Sequence, residues 1–308
     1  MRYVIPSLGR AATQKTLESL PPGLLPHIEL MVVPSDYADY KNQWYSDKVK
    51  SIECWPEYID MMPKKRKWLA QNMGDDFLML DDDLLLYAWN KTDLRYNRAR
   101  DLPKAFTRRF LETIPAYFET HSMVSVPMKF MSDVYHKEKG IERTDIGYVV
   151  TGMRKDAAAK VVFNTVFAFT DVSVPLQVYQ AHKTAVVYYG LCFSQSKSKD
   201  NAITGMNSYR TPFIKADSAI KMLQLFPGII TDFYETKDQG GGGIGLSKRT
   251  SRILKGCTKA AFLQTKTNLE KWLLHYGLSK PPAHFQYEDE MPRAEIIAQL
   301  KRNWKAAK

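Results

Sequence analysis

Cysteine is scarce in this chain of 308 residues. Cys54, Cys192 and Cys257 are far apart and odd in number, with no Cys-x-x-Cys pair and no histidine cluster beside them. Neither a disulfide framework nor a zinc site is therefore indicated. Long apolar runs are also lacking: none approaches the roughly 18 residues that a membrane helix needs. The opening Met1-Arg2-Tyr3-Val4-Ile5-Pro6 enters a strand-like segment and not a signal peptide, so a cytoplasmic protein with no membrane partner is expected. The one glycine-rich stretch, residues 239–245, has neither the Gly-Lys-Ser/Thr ending of a P-loop nor the strand context of a dinucleotide fingerprint, and reads as a mobile loop or hinge. No internal repeat is present, which excludes a solenoid.

What is present suits a globular protein. With 44% apolar and 12% aromatic residues, the chain can fill the core of one large α/β domain or two modest ones. The net charge of +11 is unevenly placed. From Ser247 onward there are 13 Lys and Arg against 5 acids. Such a basic surface concentrates polyanions such as nucleic acid.

Along the chain, a short strand at 3–5 leads through Pro6-Ser7-Leu8-Gly9-Arg10 into a helix over 11–20. A second strand at 27–33 turns out at Pro34-Ser35-Asp36-Tyr37, and a third is expected at 49–53. A helix over 61–72 carries Lys64-Lys65-Arg66-Lys67 and ends at Gly74, before a strand at 77–80. This alternation predicts a mixed, mostly parallel sheet flanked by helices. Next come a polar stretch at 87–100, an amphipathic helix at 103–120, and strands at 123–126, 146–151 and 184–193. A helix is expected from about 174 to 182, a long loop at 194–210, and closing helices at 258–276 and 294–305. A boundary near residue 210 would separate the catalytic part, 1–210, from a basic, mainly helical region, 211–308.

The feature hardest to explain as packing is Asp81-Asp82-Asp83, which follows the apolar run Phe77-Leu78-Met79-Leu80. Three adjacent carboxylates repel one another unless water or a cation screens them. Parallel sheets bind ligands outside the carboxyl ends of their strands, where residues 7–10, 35–37 and 81–83 all fall. An Asp-x-Asp pair there supplies hard oxygen ligands for Mg²⁺ or Mn²⁺, whose remaining ligands are favourably substrate phosphates. The metal would neutralise a diphosphate leaving group.

The series Ile5-Pro6-Ser7-Leu8-Gly9-Arg10, the Lys64–Lys67 helix running into Asp81-Asp82-Asp83, and Thr170-Asp171 before the next helix resembles a GT-A-fold, nucleotide-sugar-dependent glycosyltransferase over residues 1–195. The opening Pro-Ser-x-Gly-Arg, with Val32-Val33-Pro34 and Tyr40, is further similar to the phage TET-associated glycosyltransferases, which are thought to glycosylate hydroxymethylated pyrimidines in DNA. The resemblance implies a UDP-sugar donor, Mn²⁺ or Mg²⁺, a double-stranded DNA partner carrying 5-hydroxymethylcytosine or 5-hydroxymethyluracil, and inversion at the anomeric carbon. A monomer is favoured.

It implies roles too. Asp81 and Asp83 would hold the metal, with Asp82 against the donor ribose or sugar. Pro6, Ser7, Arg10, Ser35, Asp36 and Tyr37 would hold the nucleotide, with Arg66 on the donor side. Thr151 and Gly152 match an acceptor-side glycine turn. Asp171 stands in the place of the catalytic carboxylate, although Thr170 precedes it where such enzymes have Glu. A third metal ligand has no clear match; His284 and the 194–207 loop are the places to look. Lys248, Arg249 and Arg252 would face DNA phosphates. Three other readings compete: a GT-A enzyme with a glycan or protein acceptor, a metal-dependent nucleotidyltransferase or nuclease, and a non-enzymatic DNA-binding protein.

Overall fold

The computed structural model describes residues 1–129, 142–143, 150–195, 211–236, 243–248 and 257–308. The chain divides into two compact units. The first comprises Met1–Glu57, Trp68–Val161 and Pro175–Lys199, and the second Tyr58–Lys67, Val162–Val174 and Asp200–Lys308.

The strands of the first unit are β1 (Arg2–Pro6), β2 (Ile28–Val32), β3 (Ser51–Cys54), β4 (Phe77–Met79), β5 (Leu84–Asn90), β6 (Arg95–Arg98), β7 (Met123–Val126), β8 (Glu142–Arg143), β9 (Val150–Met153), β10 (Ala185–Tyr188) and β11 (Leu191–Gln195). Eight of them form one sheet in the order β3-β2-β1-β4-β9-β7-β10-β8. Strands β3, β2, β1 and β4 run parallel to one another. Strand β9 runs antiparallel between β4 and β7, and β10 returns parallel to β7. The expected mixed, mostly parallel sheet flanked by helices is therefore what the chain forms.

Parallel strands need both faces covered, and β2 is buried along its whole length. Its single charge, Glu29, is tolerated because Arg2 and Lys50 neutralise it, Arg2 Nε donating at 2.9 Å and Lys50 Nζ at 2.8 Å. On one face, Tyr3 stacks on Phe110 with ring centroids 4.5 Å apart and donates its hydroxyl to the Phe110 carbonyl at 2.7 Å. The helical segment carrying Phe110 spans the expected region, but as Pro103–Arg108, a π turn at Arg109–Thr113, and Ile114–Tyr117.

Two expectations need correcting here. The stretch after the acids is not merely polar: Leu84–Asn90 and Arg95–Arg98 are strands in a second sheet, ordered β11-β5-β6. The long strand expected at 184–193 is two strands in different sheets, broken at Tyr189-Gly190. The Tyr188 phenol lies against the Gly190 Cα, where no β-carbon fits, so the chain can turn sharply there. Arg109, buried, holds that turn by donating to the carbonyls of Trp89 (2.7 Å) and Gly190 (3.0 Å).

The second unit is built from the helices Pro212–Leu225, Lys259–His275 and Arg293–Lys305 and a hairpin of β12 (Ile230–Thr236) and β13 (Gly243–Lys248). The sequence expectation of a mainly helical C-terminal region holds, while Gly243 and Gly245, expected in a flexible loop, lie in β13; residues 237–242 are outside the described part. Trp272 ties the long helix to the hairpin by stacking on Phe233 at 3.9 Å and donating to Asp232 Oδ1 at 2.7 Å. Met61, Phe167, Ile214, Tyr287, Ile296 and Leu300 form its apolar cluster. Lys64, on the helix Met62–Asn72, is buried and donates to the carbonyls of Tyr58 (2.8 Å) and Met291 (2.9 Å). Its run of basic residues is therefore partly structural.

Candidate functional site

The carboxyl end of β4 hands the chain to Asp81-Asp82-Asp83 beside the carboxyl end of β1. Leu80 N–H still donates to the Val4 carbonyl (3.0 Å), and the next three residues leave the sheet. Thr16 shapes their turn, its hydroxyl donating to the Asp81 carbonyl (2.5 Å) and accepting from Leu84 N–H (2.9 Å).

The middle acid is the best held. Asp82 is buried; its Oδ2 accepts from the Ser7 hydroxyl at 2.5 Å and its Oδ1 pairs with Arg10. Gln14 Nε2 donates to Ser7 Oγ at 2.7 Å, and Tyr40 lies 2.6 Å from the same oxygen. Since Ser7 has one proton and gives it to Asp82, the Tyr40 hydroxyl is the donor in its pair with Ser7. Arg10 N–H in turn donates to Tyr40 at 3.2 Å. A directed chain thus runs from the Arg10 backbone through Tyr40 and Ser7 to the Asp82 carboxylate. Burial pushes the Tyr40 phenol up to about 12, keeping it protonated for this role.

The flanking acids differ. Asp83 Oδ2 lies 3.4 Å from the Arg10 guanidinium. Burial raises the Asp83 carboxyl, against the pull of Arg10. Asp81 is half-buried. The loop after β2 joins the same edge: Asp36 Oδ2 accepts from Gly9 N–H at 2.7 Å, and Ser35 donates to Asp36 Oδ1 at 3.1 Å. Tyr37 is exposed beneath Lys41, whose ammonium stands 5.6 Å from the ring centre. Of the expected nucleotide residues, then, Pro6, Ser7, Arg10, Asp36 and Asp82 share one connected edge. Sequence reasoning passed over Gln14 and Thr16, which fall inside a stretch read as uniform helix. That stretch is in fact a 3-10 turn, Ala11–Thr13, followed by a short helix, Lys15–Ser19.

Arg66 belongs to the second unit, is buried, and donates to Thr170 Oγ1. Asp171 lies in the first turn of the helix Thr170–His182, where the helix dipole favours a carboxylate. Because the helix begins at Thr170, Asp171 is not its N-cap. Among the described residues no hydrogen bond or ion pair engages its carboxylate. Ser218 Oγ accepts from the N–H groups of Phe167 (3.2 Å) and Ala168 (3.0 Å), just ahead of it.

Thr151 and Gly152, expected at a turn, are instead inside β9, paired with Leu78 and Met79 on one side and Val124 and Ser125 on the other. Phe118 Cζ lies 2.7 Å from where a β-carbon on Gly152 would sit, so the missing side chain makes room for the Phe118 ring. His284 lies in the second unit, its imidazole lowered by burial and by Lys221, with Asp217 opposing. Ser194 and Gln195 end β11, and residues 196–207 of the loop named with them are outside the described part. Lys248 ends β13 with its backbone opposite Ile230. Arg249 and Arg252 lie outside the described residues. Among the described residues, no group of three or more His, Cys, Asp or Glu gathers as a metal cage.

No protein-family model matches the chain, and no curated protein matches it. Solved structures to which it is similar include A197 from STIV, at 12% identity over 64% of this chain and 87% of that one, with a TM-score of 0.35. A mannose-1-phosphate geranyltransferase from Thermus thermophilus gives 12% identity over 63% and 75%, at 0.35. A UDP-glucose pyrophosphorylase complexed with UDP-glucose gives 8% identity over 63% and 91%, at 0.31. Likeness this faint carries no argument about substrate or reaction.

Proposed function

We propose that this protein is a metal-assisted glycosyltransferase that moves a sugar from a UDP-sugar to 5-hydroxymethylcytosine or 5-hydroxymethyluracil in DNA. The observation that carries the reading is the acidic turn at the carboxyl edge of β4, locked through Asp82 to Ser7 and Arg10 of the β1 loop.

Both oxygens of Asp82 are engaged by Ser7 and Arg10, so its role is to organise the edge. Asp81 and Asp83 beside it are hard oxygen donors of the kind Mg²⁺ and Mn²⁺ take, with few protein ligands and the remainder from phosphate oxygens and water. When bound, such a cation supplies charge neutralisation for a departing diphosphate. Arg10 adds a fixed cation at the same edge, while Ser35, Asp36 and Tyr37 of the loop after β2 would frame the nucleotide. Asp171 takes the proton of the acceptor hydroxyl as that oxygen attacks the anomeric carbon. The bond to the diphosphate breaks, and UDP leaves with the electron pair. Attack opposite the leaving group inverts the configuration.

Support for a DNA acceptor comes from charge. On the helices Lys259–His275 and Arg293–Lys305, Lys259, Lys266, Lys271, Lys301, Arg302 and Lys305 are all exposed. The deciding experiment incubates the protein with a panel of UDP-sugars, Mn²⁺ or Mg²⁺, and duplex DNA containing either modified base. The digested nucleosides are then weighed. A hexose-sized mass shift is expected. Transfer to a glycan or protein with no shift in any nucleoside would replace the DNA acceptor. Release of pyrophosphate from UTP and a sugar 1-phosphate would make the protein a nucleotidyltransferase.

A further inference from the structure

The turn that delivers Asp171 is held in a backbone conformation its sequence does not favour. Phe169 has φ +64°, the left-handed region, where the β-carbon of a bulky L-residue crowds its own backbone. Such a conformation persists only where neighbouring contacts over-determine it. Those contacts are present on both sides. Ser218, fully buried on the helix Pro212–Leu225, accepts from two successive amides, Phe167 N–H and Ala168 N–H. Arg66, also buried, holds Thr170 Oγ1. The Phe169 carbonyl itself accepts from Val172 N–H at 2.9 Å and Ser173 N–H at 2.8 Å, closing the first turn of the helix around Asp171. Upstream, Asn164 Nδ2 donates to the Tyr287 carbonyl at 2.8 Å. A glycine would make the same turn without strain.

We propose that Ser218 and Arg66 are positioning residues that hold the strained Phe169 turn, and through it the Asp171 carboxylate, in register for proton removal. The inference rests on the reading of Asp171 as the base. Two adjacent buried N–H groups lose their acceptor when the Ser218 hydroxyl is removed, so the turn moves and Asp171 moves with it. A group displaced by about 1 Å loses turnover on the order of 100-fold. Ser218 is not among the residues assigned to the donor, so binding of the nucleotide is untouched when it is changed.

The test is steady-state transfer with the productive UDP-sugar of the panel and modified duplex DNA, with a melting curve for each variant. Asp171→Asn comes first. Normal turnover in that variant overturns both the assignment of the base and this inference, as does a panel in which no donor is productive. With Asp171→Asn inactive, Ser218→Ala and Thr170→Val, which removes the hydroxyl that Arg66 holds, are expected to lower kcat about 10- to 100-fold while KM for the UDP-sugar stays within about twofold. Ser218→Thr, which keeps the hydroxyl, retains most of the turnover. Unchanged kcat in folded Ser218→Ala and Thr170→Val overturns the inference and leaves the base assigned. A loss shared by Ser218→Thr, or one that follows the unfolded fraction alone, also overturns it, making Ser218 only a packing residue. If Ser218→Ala does not fold, Thr170→Val decides, because it frees the turn from Arg66 while leaving the Ser218 contacts intact.

Discussion

Gly152→Ala adds a single methyl at a place where three neighbours already stand. The new carbon would lie 2.7 Å from Phe118 Cζ, 3.2 Å from Leu78 Cδ1 and 3.3 Å from the Phe77 carbonyl. Carbon atoms prefer separations of about 3.5–4.0 Å, so the first contact is deep in the repulsive range. Strand β9 cannot retreat, since it is hydrogen-bonded to β4 on one side and β7 on the other. The Phe118 ring must move, and it is itself part of the main core. Overpacking of this kind costs about 1–3 kcal/mol. The better strand propensity of alanine offsets only about 0.5–1 kcal/mol of that. A lowered urea midpoint is expected with m unchanged, and a melting temperature lower by a few degrees. Phe118→Leu removes the Cζ atom, so Gly152→Ala should cost less in that background, with a coupling of about 1 kcal/mol in the double-mutant cycle. The folded variant should keep its acceptor KM. An unchanged midpoint together with a raised acceptor KM would refute the packing argument and return Gly152 to the substrate.

Asp83→Ala should abolish metal-dependent transfer while leaving the melting curve and DNA binding in place; full turnover in that variant would sink the assignment of Asp83 to the metal. Burial raises the Glu29 carboxyl, but Arg2 and Lys50 together bring it below its ordinary value. Its contribution to stability is therefore complete above the unfolded value of about 4.3 and is lost as the pH falls through the lower folded value. Glu29→Gln should cost about 1–3 kcal/mol at pH 7, discounted for the exposure of Lys50, and markedly less near pH 3. An equal difference at both pH values in urea titrations would show that the ion pairs contribute nothing. Affinity for duplex DNA should fall steeply with salt, and reversing Lys259, Lys266 and Lys271 to Glu should flatten that dependence; a slope that does not change would move the DNA contact elsewhere.

The parallel half of the sheet was legible because β1, β2 and β4 are apolar runs punctuated by Pro6, Pro34 and Gly74, whose backbone constraints act locally. What failed to show depends on contacts distant in sequence. Residues 84–88 alternate buried and half-buried, but the strand character of Leu84–Asn90 comes from pairing with Leu191–Gln195, about a hundred residues away. The Lys64–Lys67 run stands out in the sequence by its charge, yet Lys64 is buried against carbonyls at Tyr58 and Met291, which charge counting cannot foresee. The acidic triplet shows the same limit on a finer scale. Three equivalent aspartates in sequence become three different groups once Ser7 and Arg10, some seventy residues upstream, reach Asp82. Ser7 and Arg10 take both oxygens of the acid that organises the edge, and under the proposed function Asp81 and Asp83 are then the carboxylates that would share a hard divalent cation with a diphosphate.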